Sequence, residues 1–287
     1  MRRHTSPGGA GWVGFAILGL FVVVAVIGPA LAPYRATELA GEPLGHPDRH
    51  HWVGTNSVGQ DIASQLLAGG RTSLEVALLG GGATLVFGAL VGAIAGWFGG
   101  LTDDVAMRAV DLVLTIPAVP LLVVLAAYVT PDTLGVCLII AMTSWPLLAR
   151  IVRAEVLSLR RRQYVEAAVS FGADSGHVLR HHIFSGAGLV LVAGLISAAE
   201  RAIAIQAGLA FLGLVNPAQA SWGSVIRDAL DFRGLFLTHA WAWWLLPPVF
   251  ALSLLLVGMA LIGTSIEGHL NPRLTRQGAR QVAAAGR

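Results

Sequence analysis

Long apolar runs fill most of this sequence, and their length limits the chain to structures that lie within a lipid bilayer. Of the 287 residues, 55% are hydrophobic and 12% are charged, compared with about 25% charged in soluble domains. A helix needs about 20 residues to span the hydrocarbon core. The sequence therefore predicts an all-α integral membrane protein with six transmembrane helices. The predicted spans are Trp12–Leu31, Leu74–Phe98, Val110–Tyr128, Leu134–Ile151, Gly186–Leu214 and Trp241–Ile266.

The arginines predict the orientation of these spans. All 19 Lys and Arg residues are arginines; 13 of them fall on the side that holds both termini and 5 on the other side. Loops on the cytoplasmic side of a membrane are enriched in Lys and Arg. We therefore expect both termini in the cytoplasm. Arg201 belongs to neither side because it falls within the fifth apolar run.

The spans divide the chain into a first helix, a long polar loop and a core of five helices. The predicted ranges are a cytoplasmic N-terminus (1–11), a first transmembrane helix (12–32), an extracytoplasmic loop (33–73), a five-helix core (74–266) and a cytoplasmic tail (267–287). Within the core we predict a cytoplasmic loop over 152–185 and an extracytoplasmic loop over 215–240. Ala30-Leu31-Ala32 resembles a cleavage site, so a cleaved signal peptide competes with an uncleaved first helix.

The residue inventory excludes several classes of function. A P-loop requires a lysine and the chain has none, so any ATP that drives this protein must bind to another chain. Cys137 is the only cysteine, which excludes an intrachain disulfide and a cysteine-based metal site. His177 and His181 have helical spacing, but they lack the acid that a zinc-protease motif requires. We predict no catalytic residue, metal site, cofactor or nucleic-acid-binding surface in this chain.

Small and aromatic residues in the spans predict how the helices pack. Gly88, Gly92 and Gly96 recur every fourth residue, and such glycines form a groove that lets another helix approach closely. That contact lies either within the bundle or across a dimer. The tryptophans near the span ends are expected to form a belt at the membrane interface. They are Trp97, Trp222, Trp241, Trp243 and Trp244.

A polar segment between the fourth and fifth apolar runs has the pattern of two short helices. Tyr164, Ala167, Ala168 and Phe171 follow helical spacing and form one apolar stripe, and Gly172 is suited to end that helix. Asp174 or Ser175 can cap a second helix that runs through His182. The stripe has little of its own chain to cover it. It can dock on a partner protein, lie on anionic lipid, or belong to a solvated loop.

Several motifs in this segment and beyond it resemble one family. Glu166-Ala167-Ala168 followed by Gly172 and Ile183 looks like the EAA loop of bacterial ABC-importer permeases. His51 to Asp61, HWVGTNSVGQD, is similar to the H-x-x-G-T-D-x-x-G-R-D segment of the dipeptide, oligopeptide and nickel permeases. Gly96-Trp97-Phe98-Gly99-Gly100, Leu209 to Leu214 and Ser221-Trp222-Gly223 continue the similarity in the same order. The chain thus resembles a C-type peptide permease subunit.

The resemblance implies a type I ABC importer permease fold in a bacterial cytoplasmic membrane, with an uncleaved first helix. It implies a second permease subunit in a heterodimer, two ATPase subunits that bind ATP and Mg, and an extracytoplasmic solute-binding protein. The EAA segment is then the coupling helix. Its implied contact residues are Tyr164, Glu166, Ala167, Ala168, Phe171 and Gly172. Peptides are the implied substrate; nickel or glutathione import, or an ion-coupled secondary transporter, are the alternatives.

The chain departs from the family pattern at a few positions. Asn56 and Gln60 stand where relatives have an acid and an arginine, and Phe184-Ser185 stands in place of Leu-Pro. Gln206 replaces a glutamate. Glu200 and Arg201 lie within a span, where a charge costs about 2.5–3.5 kcal/mol on insertion scales. We predict that Glu200, Arg201 and Gln206 contribute to the translocation pathway.

Overall fold

The computed structural model describes residues 9–129 and 132–270, and every regular element in those ranges is a helix. Five helices there are long and apolar enough to cross a membrane. They are α1 (Gly9–Leu31), α2 (Ile62–Phe98), α5 (Thr133–Arg160), α9 (Gly188–Phe211) and α11 (Leu246–Leu270). Most of the predicted N-terminus and nearly all of the predicted tail, with their arginines, lie outside the described residues.

A bent pair of helices is the candidate for a sixth span. α3 (Gly100–Thr115) and α4 (Ala118–Val129) meet at an angle of 81°, and counting the pair as one span gives six. The all-α fold is therefore confirmed, with five or six candidate spans, but the continuous third helix over 110–128 is wrong. Ile116 is extended, with ψ 126°, because Pro117 disfavours the helical conformation in the residue before it.

The α2 helix begins at Ile62 and not at Leu74, so the predicted loop over 33–73 is shorter than expected. Asp61 caps the helix by accepting a hydrogen bond from the Ser64 N–H at 2.7 Å. Gly69 and its neighbour Gly70 suggested a loop in the sequence. In the structure a β-carbon at Gly69 would lie 3.0 Å from the Trp222 nitrogen, so the glycine permits close packing and does not make a turn.

The helices α2, α5 and α9 pack side by side as the centre of the bundle. Gly88, Gly92 and Gly96 all lie against α5 of the same chain: a β-carbon at these positions would meet α5 backbone or side-chain atoms at 2.4–3.0 Å. Arg150 pairs with Asp111 and Arg153 with Asp103, which attaches α3 to α5. α1 packs on α11, where Gly14 and Gly258 allow close contact.

Two polar segments fold together into an outer layer on the bundle. The amphipathic helix α10 (Trp222–Asp231) and residues 232–245 pack against residues 44–66 around Ile62, Val225 and Trp244. Trp222, Trp243 and Trp244 are 2%, 9% and 1% exposed, so the predicted interfacial belt is wrong for them. Trp97, at 8% exposed, is also buried. Large aromatic side chains provide the outer layer with a core of its own.

Candidate functional site

The predicted cytoplasmic helix is present as α6 (Gln163–Ser170), and Gly172 ends it as expected. Gly172 has φ +84°, a conformation that glycine adopts without steric cost. Its N–H donates to the Val169 carbonyl at 2.9 Å, and the Ala173 N–H donates to the Ala168 carbonyl at 3.0 Å. These two hydrogen bonds form a Schellman motif, which satisfies the last carbonyls of the helix.

The second helix continues further than the sequence predicted. Asp174, not Ser175, caps α7 (Ser175–Val178) by accepting from the Gly176 N–H at 2.8 Å. A π-helical turn (Leu179–Ile183) and α8 (Phe184–Gly186) then lead almost directly into α9. Phe184 has helical dihedral angles, φ −63° and ψ −36°. No proline follows Ile183, and Ala187 alone separates α8 from α9.

The predicted apolar stripe is on the outside of this helix pair. Phe171 is 92% exposed and Tyr164 49% exposed, Ala167 is exposed, and Ala168 is half-buried. The residue that attaches α6 to the bundle is Val165, which is completely buried. The sequence analysis did not single out Val165, although it is apolar and lies beside the stripe, about 100° around the helix from Tyr164. The stripe is therefore exposed on a helix that Val165 attaches to the bundle.

Buried apolar contacts connect the helix pair to the spans. Val165, Val178 and Ile183 belong to one core cluster with residues of α2 and α5. That cluster includes Leu148 of α5, whose Cδ1 would lie 2.6 Å from a β-carbon at Gly194 in α9. A displacement of α6 would therefore be transmitted to three transmembrane helices at once, since packed interiors deform little.

Glu166 does not share the face of the stripe. Successive helical residues are about 100° apart, which places Glu166 on the side away from Phe171. There it lines an open groove together with Arg160 and Arg161. Glu166 is thus not part of the apolar stripe, which was predicted from Tyr164, Ala167, Ala168 and Phe171 alone, and a hydrogen bond from Glu166 to an ATPase stays a prediction.

The three residues predicted for the pathway have different surroundings. Arg201 is exposed and lines a cavity of about 210 Å³ between α2, α5 and α9, together with Thr84, Ser144 and Ser197. Within the described ranges it makes no hydrogen bond and no ion pair within 4.0 Å. Glu200 is half-buried and does not line this cavity. Gln206 is 3% exposed, and its Oε1 has no hydrogen-bond partner among the described residues.

The segment from His51 to Asp61, called the outer motif below, is held together by neutral amides where relatives have charges. Asn56 Nδ2 donates to Gln60 Oε1 at 2.8 Å, and Asn56 Oδ1 accepts from the backbone N–H groups of Val58 and Gln60. Gln65 Nε2 also donates to Gln60 Oε1, at 2.9 Å. The acid and the arginine that relatives have at these two positions are thus replaced in this chain by a hydrogen-bonded amide pair.

Two acids of the outer layer have shifted pKa values. The His51 and His50 backbone N–H groups donate to Asp48 at 2.6 and 2.8 Å and hold its pKa below 3.8. Partial desolvation beside a cavity of about 150 Å³ raises the pKa of Asp228, which is still exposed on its outer side, although Arg227 opposes the shift. His51 Nδ1 lies 3.1 Å from Asp61 Oδ1, which links the motif to the cap of α2.

The histidines of the helix pair α6–α8 lie close to one another. The rings of His177 and His181 stack with centroids 4.3 Å apart. No group of three potential ligands suited to a metal ion occurs in the part of the chain that the structure describes. The absence of a metal site in the whole chain stays a prediction.

Comparison with known proteins identifies the family. The family described as the inner membrane component of binding-protein-dependent transport systems matches residues 88–276. A Brucella suis protein named as a peptide permease is 35% identical over 91% of this chain and 86% of its own length. The dipeptide transport system permease protein of Alkalihalophilus pseudofirmus is 30% identical (91% and 85% covered), and the oligopeptide transport system permease protein of Bacillus subtilis is 31% identical (92% and 86%).

These matches and the membrane helices agree with the motif-based prediction. The family consists of transport subunits, not enzymes, and its systems work with ATPases and binding proteins. The chain belongs to the inner membrane components of binding-protein-dependent transport systems, the permease subunits of ABC importers.

Proposed function

We propose that this chain is one of two different permease subunits of a peptide importer in a bacterial cytoplasmic membrane. Both termini and the helix pair α6–α8 are cytoplasmic in this proposal, and residues 33–61 and 212–245 face outward. Similarity to permeases named for peptides, dipeptides and oligopeptides supports the substrate class. Two ATPase subunits bind ATP and Mg, and a solute-binding protein delivers the peptide to the outer layer.

The observation that most supports a coupling role is the exposed stripe on an anchored helix. Phe171 is 92% exposed although it is apolar, and its burial in a partner would be favourable by about 1.5–3 kcal/mol. Tyr164, Ala167 and Ala168 extend the same surface, and Gly172 gives the bend that follows it. We assign this surface to an ATPase subunit.

Movement of the ATPases would reach the pathway through the buried cluster behind α6. Val165 contacts the cluster that contains Leu148, and Leu148 also lines the cavity beside Arg201. A rigid-body shift of α6 would change the shape of this cavity without unfolding any helix. This is the mechanical step by which ATP hydrolysis on another chain opens or closes the pathway.

Arg201 is the residue that we place on the pathway. A guanidinium within a span normally faces a water-filled cavity or a partner group, and the cavity beside it has the hydroxyl groups of Thr84, Ser144 and Ser197. The C-terminal carboxylate of a peptide is a suitable anion. Glu200, on the neighbouring face of α9, is assigned to the edge of the pathway. Gln206 is buried, so we assign it no direct contact with the solute in this conformation.

Substitution of Phe171 tests the coupling role, and Val169 provides a control in the same segment. Phe171→Ala should reduce co-purification of the ATPases with the tagged permease and reduce uptake of labelled dipeptide by about tenfold or more. Val169→Ala removes another exposed apolar side chain, 48% exposed, on the opposite face, and should leave co-purification unchanged. Equal effects of the two variants, or none from Phe171→Ala, would refute the assignment of the stripe to the ATPase.

A further inference from the structure

A groove of about 610 Å³ lies between α1 and α9, with α2 as its floor. Val22 and Val26 form the side that belongs to α1, and most of the other lining residues are also apolar. Among the described residues that line the groove, the charged ones are Arg71 and Glu75 of α2. The groove shares no residue with the cavity beside Arg201, so it is separate from the proposed pathway.

The packing of α2 against α5 shows at which level this groove lies. The two helices run in the same direction, and a β-carbon at Gly80 of α2 would lie 3.6 Å from the Cα of Cys137 in α5. Each helix has an acid five residues before this contact, Glu75 in α2 and Asp132 at the N-cap of α5. The two acids therefore lie at the same level of the bundle.

The charges of α5 mark the boundaries of the hydrocarbon core. The first charged residue after Asp132 is Arg150, and about 27 Å separate the two along the helix axis. This length is close to the thickness of the core, about 30 Å. The level of Asp132 and Glu75 is therefore one boundary, and Arg71, one turn further out, lies among the lipid phosphates. That this is the outer leaflet rests on the orientation proposed above.

Arg71 is held in place by Glu75 but retains hydrogen-bond donors for a ligand. Its Nε donates to Glu75 Oε1 at 2.8 Å, and its two terminal amino groups make no hydrogen bond within the described ranges. The Arg71 side chain is 61% exposed, and guanidinium groups bind phosphate through paired N–H donors. On the hydrocarbon side of this pair, Val26 and Leu78 are 74% and 70% exposed. The groove thus combines a phosphate-binding group with apolar walls that continue into the bilayer.

We infer that this groove holds one phospholipid of the outer leaflet, with its phosphodiester on Arg71 and one acyl chain between α1 and α9. The terminal amino groups of Arg71 donate to the phosphate oxygens. The chain passes Val22 and reaches Ala199, which lies against Gly81 in the interior of the spans. Mostly apolar walls with a few polar groups that fix orientation are typical of ligand sites. Because α1 packs on α2 and α11, the lipid attaches it to α9 as well.

Native mass spectrometry of the purified full-length chain tests the role of Arg71. The protein is titrated separately with phosphatidylglycerol and phosphatidylethanolamine, and bound lipid is counted. Arg71→Gln should bind both lipids about tenfold more weakly, because it loses charge-assisted hydrogen bonds to the phosphate. Arg227→Gln is the matched control and should bind lipid as wild type does. Arg227 also belongs to an exposed ion pair within one helix, but it does not line the groove.

A second pair of variants tests the position of the acyl chain. Val22→Trp fills the groove with a large ring and should abolish retention of the lipid. Val23→Trp should retain it, because Val23 is exposed to a similar extent (53%, compared with 45% for Val22) but does not line the groove. Unfolding temperatures near that of wild type would show that both variants are folded.

Three results would overturn the inference. The first is equal lipid binding by wild type, Arg71→Gln and Val22→Trp. The second is displacement of the lipid by millimolar inorganic phosphate, which would show a site for free phosphate. The third is loss of the second permease subunit from Val22→Trp with unchanged lipid binding, which would assign the groove to that subunit. Because lipid is counted without transport, failure of the peptide-import proposal would leave these measurements unchanged.

Discussion

Gly92 in α2 and Ala149 in α5 meet backbone to backbone: a β-carbon at Gly92 would lie 2.4 Å from the Ala149 carbonyl oxygen. Neither helix can yield locally, since both are long and packed on each side. Gly92→Ala should therefore separate α2 from α5 and destabilise the protein by about 1–3 kcal/mol. A thermal unfolding assay in detergent measures this.

Gly82 provides the control for this prediction because it lies in the same helix with nothing within 4 Å of its β-carbon position. Gly82→Ala should leave the unfolding temperature unchanged or raise it, since alanine is the better helix former by about 1 kcal/mol. An unfolding temperature of Gly92→Ala equal to that of wild type would mean that α2 and α5 are more loosely packed than the structure indicates.

Because Asn56 and Gln60 are hydrogen-bonded to each other, we expect their substitutions to have non-additive effects on stability. Asn56→Asp removes the donor to Gln60 Oε1 and places two acceptors together. A flip of the Gln60 amide would break the hydrogen bond from Gln65. Asn56 is buried, so the single variant should lose about 1–3 kcal/mol of stability. Asn56→Asp combined with Gln60→Arg restores the charge pair of the relatives and should recover most of the lost stability.

Denaturation of the two single variants and the double variant, measured as a double-mutant cycle, gives the coupling energy. A coupling energy near zero would show that the two side chains act independently. Binding of the solute-binding protein should follow the same order as stability, because the amide pair shapes the outer surface and does not face the membrane.

The sequence predicted the number and type of spans because the length of an apolar run is a local property. It did not predict the start of α2, because Gly69 is explained by a contact with Trp222, which is distant in the sequence. The tryptophans show the same limit. An aromatic residue near a span end can lie at the lipid interface or in the core of an outer layer, and only the packing of two distant segments decides between them.

The candidate site was predictable in its pattern but not in its orientation. Helical spacing placed Tyr164 and Phe171 on one exposed face, and Gly172 ended the helix as the sequence indicated. The spacing alone did not show which face of α6 is turned to the bundle, so Val165 was missed as the anchor. The motif gave Glu166 a role apart from the stripe, and its helical position places it at the groove beside Arg160.

Gly172 has a left-handed backbone conformation, so replacing it should strain the backbone without causing a steric clash. Gly172 has φ +84° and open space around its β-carbon position. Gly172→Ala should therefore cost about 1–2 kcal/mol locally and loosen the turn between α6 and α7. Gly188 also has open space but no positive φ, so Gly188→Ala is a matched control.

We expect Gly172→Ala to reduce peptide-stimulated ATP hydrolysis by the assembled transporter, with little change in the unfolding temperature of the bundle. Gly188→Ala should behave as wild type in both assays. Full ATPase stimulation in Gly172→Ala would mean that the fixed turn is not needed for coupling.

Asp228 predicts a pH dependence in the outer layer. Its pKa in the folded protein is raised above 3.8 by partial desolvation, although the residue is exposed, so the folded state binds the proton more tightly than the unfolded chain. Its contribution to stability is present below 3.8 and is lost as the pH rises through the folded pKa. Asp228→Asn should therefore unfold at a higher temperature than wild type at neutral pH, and the difference should shrink in acid.

Asp231→Asn is the control for this pH effect, since Asp231 lies on the same helix and is 69% exposed at its side chain. Its substitution removes only the exposed ion pair with Arg227, which contributes about 0–1 kcal/mol. The same pH profile in both variants would show that the desolvation of Asp228 is not the cause.

The cavity beside Arg201 predicts which part of a peptide it recognises. A guanidinium there should bind the free carboxylate of the peptide, so wild type should take up a free-acid dipeptide better than its C-terminal amide. Arg201→Gln should raise the KM for the free acid by about tenfold or more, the value of one charge-assisted hydrogen bond, and remove the preference. Arg201→Lys keeps the charge and should keep part of the preference for the free acid. Glu200→Gln should not alter this preference, because Glu200 does not line the cavity. Unchanged kinetics and preference in Arg201→Gln would exclude Arg201 from peptide recognition and leave it to pair with an acid of the second permease subunit.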